Sequence, residues 1–418
     1  MHMISPAVAV PAVAPLPLTR SGAASAIFAA AGLLLPYLER GESIDVPKLR
    51  SAMEAAFGAC DAAGAWDWKQ AYDACEAATV LFLRKYGKAL FRKAASPALR
   101  LSALSKIAGL MPTHTRRSEE TQTFQQFSTP IPLGLVAATA AAITPTDRVL
   151  EPSAGTGLLA ILAEIAGASL VLNELAETRA ELLSCLFPAV PVTKSDAAQI
   201  DDHLDPSAVP SVVLMNPPFS VMADVEGRMG DAAWRHIASA LARLAPGGRL
   251  ATITGANFAP HHPAWTSAFT RLQERGRIVF SAAIDGSAYA KHGTTFPTRL
   301  TVIDRVPAGD PTVFPAARGV APDAATLLEW VSEHVPARLP VAVPAVANPT
   351  SSPAAPRTVR GYLGRGERTT PQLAIADPEA VELAYGVVDW HAVEDGQISD
   401  TIYENYSLQA IRIPGAQP

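Results

Sequence analysis

Residues 148 to 157 read Arg-Val-Leu-Glu-Pro-Ser-Ala-Gly-Thr-Gly, and a helical pattern follows in Leu158, Leu159, Ile161, Leu162 and Ile165. A short apolar run, a glycine-bearing turn and an apolar helix face make one strand-turn-helix unit. Glycines at 155 and 157 let the backbone approach a ligand that a side chain would push away. A second apolar run, Ser211 to Met215, stops at Asn216-Pro217-Pro218-Phe219. Two consecutive prolines donate no backbone N–H and hold the preceding residues extended, so carbonyls project outward. Such a loop is suited to accepting hydrogen bonds.

In these two motifs the sequence resembles the class I S-adenosylmethionine-dependent methyltransferases, and within them the amino-group enzymes whose motif is Asn/Asp/Ser-Pro-Pro-Tyr/Phe. The resemblance implies S-adenosyl-L-methionine as cofactor, held by Glu151, Ser153, Ala154, Gly155, Thr156 and Gly157, with Asn216 shared between donor and acceptor. It implies Asn216, Pro217, Pro218 and Phe219 as the catalytic loop. The Asn216 side-chain oxygen and the Pro217 carbonyl would accept the two protons of an aromatic amine, turning its lone pair toward the methyl. Phe219 would stack on a flipped base, a contact of roughly 1–3 kcal/mol that offsets part of the unstacking cost. Upstream, Phe127, Ser128, Thr129 and Pro130 match the Phe-x-Thr-Pro segment that packs over the methionine end in the family, leading into an apolar helix, Leu133 to Ile143.

Downstream, Leu170 to Glu174 reads as a second buried strand ending in Asn173-Glu174, both of which the resemblance implies as cofactor contacts. Glu174 follows Gly157 at close to the spacing of about 20 at which a carboxylate takes up ribose hydroxyls in dinucleotide folds. Val192 to Ser195 reads as a third strand with Asp196 at its carboxyl end, where similar enzymes accept from the cofactor's adenine amino group. Asp231 to Leu244 and His262 to Arg275 follow as helices, and Arg249 to Gly255, Arg277 to Ile284 and Arg299 to Val306 as strands. The last two are too close for a crossover helix, so an antiparallel hairpin edge is expected. The loop between them carries Lys291 and His292 and is expected to border the acceptor pocket.

At 418 residues, the chain should hold two or three domains. Residues 1–20 form an Ala/Pro/Val-rich arm. Residues 21–120 are helical, broken at Pro36, Gly41 and Pro97, with Asp45 and Asp67 as caps. A methyltransferase domain spans 121–310, a helix near Pro322 to His334 precedes a Pro-rich linker ending at 356, and residues 357–418 form a small β-rich segment. The fold class is α/β, a Rossmann-like seven-stranded methyltransferase domain flanked by a helical domain and that small segment. No apolar run approaches 18 uninterrupted residues, and the N-terminus lacks a basic leader. Cys60, Cys75 and Cys185 have no metal-ligand spacing. A reduced, cytoplasmic, zinc-free protein with no membrane partner is expected.

The net charge is −5, but residues 84–117 carry nine basic side chains and no acid, leaving −14 for the rest. Arg84, Lys88 and Arg92 share one helix face with Lys85 and Lys93 beside them. With Arg116 and Arg117 they read either as a phosphate-contacting surface or as a solvated face.

The favoured function is methyl transfer to an exocyclic amine, adenine N6 in DNA, and motif order resembles the type I restriction-modification subunits. The chain also resembles the methyltransferase-like N-terminal part of bacterial strawberry notch-type proteins, in which a helicase follows. No Gly-x-x-x-x-Gly-Lys-Ser/Thr phosphate loop occurs, so the chain is expected to be the N-terminal portion of a longer polypeptide with the ATPase downstream. Two readings stay open beside it: methylation of RNA adenine or a protein glutamine amide, and a catalytically idle DNA-binding module serving a helicase.

Overall fold

The computed structural model describes residues 20–115, 128–218 and 232–341. Arg116, Arg117, Phe127, Phe219, the N-terminal arm and the C-terminal segment lie outside the described residues. Among the described residues five helices precede the sheet: α1 (Arg20–Glu39), α2 (Val46–Phe57), α3 (Trp68–Lys93), α4 (Pro97–Leu110) and α5 (Ile131–Ala141). Asp45 caps α2 and Asp67 forms a capping box with Gln70 on α3, as their side chains led us to expect. Ser96 caps α4, with Pro97 in its first turn. The expected break at Pro36 does not occur, because α1 continues through it to Glu39. Proline removes one donor and crowds the carbonyl four residues back. Burial of Ile27, Ala30, Ala31, Leu34 and Leu38 on one stripe outweighs that cost. By length and composition α1 could cross a membrane, yet here that stripe belongs to a protein core.

Among the described residues the sheet has eight strands: β1 (Arg148–Glu151), β2 (Ser169–Asn173), β3 (Val192–Thr193), β4 (Val212–Met215), β5 (Arg249–Gly255), β6 (Arg277–Ile284), β7 (Thr298–Asp304) and β8 (Val320–Ala321). Their order is β3-β2-β1-β4-β5-β7-β6-β8. Strands β1 to β5 are parallel, and β7 runs antiparallel to both neighbours. The first seven give the Rossmann-like methyltransferase order. The antiparallel β6–β7 hairpin ends this seven-strand order as expected, with β7 between β5 and β6. One detail differs from expectation. The two-residue β8 then pairs parallel to β6, covering an edge that would otherwise present unpaired backbone groups.

Between the strands lie α6 (Ala160–Ile165), α7 (Glu177–Leu186), α8 (Ile200–His203), α9 (Ala232–Arg243) and α10 (Thr266–Gln273), and α11 (Ala324–His334) follows β8. Alternate residues of the central strands supply opposite faces: Val212 and Leu214 of β4 join Val149 and Ala251, whereas Val213 and Met215 join Leu150, Ile237 and Phe269. The N-terminal helices do not form a core of their own. Ile27, Leu34, Phe82 and Leu83 share one continuous cluster with Ile161, Leu183, Phe187 and Val302. A buried ion pair joins the layers, with Arg179 of α7 donating to Asp73 of α3 at 2.8 Å. The close approach of α3 to α6 needs Gly87, where a Cβ would stand 2.4 Å from Ile165 Cδ1.

Candidate functional site

The chain crosses the sheet outward from β1 through β2 to β3, then returns to place β4 on the other side of β1. Loops at the carboxyl ends of β1 and β4 therefore part at the point where ligands sit in open α/β sheets. The turn from Ser153 to Gly157 follows β1, and Asn216-Pro217-Pro218 follows β4. The two strands are in register, Leu150 beside Val213, so the two sequence motifs adjoin at one sheet end.

The two glycines differ in what they do. Gly155, at φ +56°, has open space where a Cβ would project, so a ligand can approach it. Gly157, at φ +84°, would place a Cβ 2.4 Å from the Phe187 ring and 3.0 Å from Leu183. Its missing side chain makes room for α7 rather than for a ligand. Asn173 is likewise structural. Its amide nitrogen donates to the Pro152 and Ser195 carbonyls at 2.8 Å each, and its oxygen accepts from Thr193 and the Ser195 N–H. Fully buried, it pins the ends of β1, β2 and β3 together and has nothing to offer a cofactor.

Three carboxylates surround that turn. Glu174 accepts from the Gly155 N–H at 2.7 Å and from the Ala176 N–H at 2.9 Å. Exposed Asp196 accepts from the Ala198 N–H through one oxygen. Glu151 is buried and accepts from the Ala160 N–H, while its Oε2 has no hydrogen-bond partner among the described residues. Burial first, and then the neighbouring Glu174 charge, push the Glu151 carboxyl well above the usual carboxylate range.

On the acceptor side the Asn216 amide nitrogen donates to Thr129 Oγ1 at 2.9 Å, which ties the loop after β4 to the Thr129-Pro130 segment before α5. The buried Tyr289 hydroxyl also hydrogen-bonds Asn216. Thr129 and Tyr289 together fix the Asn216 side chain at the end of β4. Pro217 is buried and Pro218 half-buried.

Sequence reasoning missed the floor of this region. Thr156 donates to Glu76 of α3 at 2.7 Å, and Ser128 hydrogen-bonds the same carboxylate. Burial, followed by the nearby Asp73 charge, raises the Glu76 pKa to about 7. His292 Nδ1 lies 4.0 Å from Glu76 Oε1, and His114 packs edge-on against His292 while stacking on Tyr72 at 3.9 Å between ring centroids. Burial keeps both imidazoles neutral, at pKa values of about 3 for His114 and about 4 for His292. Lys291 donates to the Ala108, Gly109 and Met111 carbonyls, closing the C-terminus of α4 and bringing this loop against the helices. A lone Glu in a helix carries no local sign that it reaches a turn 80 residues away.

The basic run is partly spoken for. Arg84 makes a bidentate pair with Glu164 of α6 and lies over the Phe187 ring, and Lys85 pairs with Glu39 of α1. The acids absent from the run come from other helices. Lys88, Arg92 and Lys93 stay exposed.

No family profile matches the sequence, and no curated protein is similar to it. Among solved structures, similarity is found to a Vibrio vulnificus YJ016 protein described as the modification subunit of a type I restriction enzyme. Identity is 16%, over 55% of this chain and 60% of that one, with a TM-score of 0.38. TrmN from Thermus thermophilus is 19% identical over 45% of this chain and 52% of its own, with a TM-score of 0.33. A Listeria monocytogenes protein described as a class I S-adenosylmethionine-dependent methyltransferase is 13% identical over 74% and 93%, with a TM-score of 0.37. The chain thus spans 60% and 52% of the first two proteins' lengths. The sheet order and the site residues, rather than these likenesses, carry the reading that follows.

Proposed function

We propose that this chain transfers a methyl group from S-adenosyl-L-methionine to an exocyclic amino group, adenine N6 in DNA. The observation that carries the proposal is the placement of Asn216-Pro217-Pro218 beside the Gly155 turn across the β1–β4 switch point, with Asn216 fixed by Thr129. The residues present fit the cofactor. Gly155 leaves room for it, and the orphaned, buried Glu151 oxygen is suited to a cationic group. Glu174 and Asp196 stand at the ends of β2 and β3, where ribose and adenine groups would lie. The cofactor supplies an electrophilic methyl on a sulfonium. Asn216 and the Pro217 carbonyl hold the amine by its protons, and Phe219 stacks on the base. Lys88, Arg92 and Lys93, with Arg116 and Arg117, supply phosphate contacts that position without specifying. A strand-separating helicase partner fits the same reading, since a flipped base costs least when already unpaired.

The test is incorporation of labelled methyl from S-adenosyl-L-methionine into DNA, RNA and protein acceptors offered separately. Label in DNA, lost in Asn216→Ala while calorimetric cofactor binding persists, is expected. Label in RNA or protein alone would overturn the acceptor assignment, and undiminished transfer by the Asn216 variant would overturn the site.

A further inference from the structure

We propose that Glu76, His114 and His292 form a binding site for a divalent first-row transition metal ion, zinc foremost. Glu76 accepts from Thr156 through Oε2 and is also hydrogen-bonded by Ser128, and its Oε1 stands 4.0 Å from His292 Nδ1. That nitrogen is buried and has no hydrogen-bond partner among the described residues. One donor atom from each of the three side chains falls within 4.8 Å of the others. Two imidazoles and one carboxylate are the donor set of an open zinc site with a fourth position for water.

Three further observations support a cation. Arg179 faces Asp73, Glu76 and Glu174 together and lies near His114 as well, so three carboxylates share one guanidinium. The other nearby cation, Lys291, has its ammonium on the carbonyls closing α4. The ligands also come from segments that need joining: α3, the stretch after α4, and the loop between β6 and β7. The His114 N–H already donates to the Lys291 carbonyl at 2.8 Å, so two of those segments are held together before any ion arrives. Bonds of about 2.0–2.2 Å would hold tetrahedral ligand atoms roughly 3.5 Å apart, so the cluster must contract by about 1 Å. Rotation of the Glu76 carboxylate, together with a small swing of the His292 ring, would supply that contraction. The proposal does not depend on methyl transfer, because metal binding is read without any acceptor.

The experiment uses the whole chain without a tag, freed of metal with chelator, and titrated with zinc by calorimetry and with cobalt(II) by visible absorption. Stoichiometric binding with cobalt bands of a low-symmetry nitrogen and oxygen site is expected. His292→Ala and Glu76→Gln should each weaken zinc by more than about 100-fold, beyond the loss of an outer-shell partner, with circular dichroism showing that the variants fold. Wild-type protein that binds no zinc, or variants that bind it undiminished, would overturn the site.

Discussion

Glu151 shows what one buried carboxyl does to both stability and binding. Its folded pKa is raised, so between its unfolded value and its folded value the native state holds the extra proton. Its contribution to stability is full below the unfolded value, about 4.3 for a glutamate, and declines as pH rises through the folded value. Glu151→Gln should therefore flatten the loss of Tm between acid and neutral pH, read by thermal unfolding across that range. Cofactor affinity should run the opposite way, rising with pH in the wild type because a cationic ligand favours the ionised carboxylate. Calorimetry at several pH values checks it, and the Gln variant should be pH-insensitive and weaker. The two glycines separate in the same manner. Gly157→Ala should destabilise the fold by about 1–3 kcal/mol through overpacking against Phe187, and shortening Phe187 to Leu should restore part of it. Gly155→Val should chiefly lose cofactor affinity, with the far-ultraviolet circular dichroism retained.

At the scale of the element, α3 serves as both core helix and basic surface, and its charges divide accordingly. Arg84 is held by Glu164 and Phe187, Lys85 by Glu39, while Lys88 and Arg92 point to solvent. Replacing Lys88 and Arg92 by Ala should flatten the salt dependence of DNA binding by up to about 1.8 log units per log salt, at ~0.9 per lost phosphate contact. Arg84→Ala should leave that slope unchanged and lower Tm. A slope that responds to Arg84 rather than to the outer pair would reverse the division.

Over the whole molecule, the helical layer and the sheet share one core, so they should unfold in one transition. Arg179→Met leaves Asp73 buried without its cation and should cost about 3–5 kcal/mol, the range for breaking one partner of a buried pair. Urea unfolding followed by tryptophan fluorescence and by far-ultraviolet circular dichroism should give coincident curves for wild type and variant alike. A chain lacking α1 to α4 should fail to fold, since Ile161, Leu183 and Phe187 would lose the surface of α3 that covers them. Two separate transitions would instead restore an independent helical domain.

What the sequence determined was local. Caps at Asp45 and Asp67, the apolar runs of β1, β2, β4 and β5, the turn around Gly155 and the proline-bound loop at Asn216 were all legible, because each depends on neighbours within one turn or one strand. Those elements sufficed for the α/β class, and the two motifs named the two ends of the candidate site. Tertiary structure decided everything that needed distant partners. It turned Gly157 toward Phe187, closed Asn173 in on three strand ends, and supplied acids to Arg84 and Lys85 from other helices. It also set β8 beside β6 and carried Glu76 of α3 under Thr156, to meet His114 and His292. The reason is geometric: hydrophobic pattern states which face of an element is buried, but only the packing of one layer against another states what that face meets.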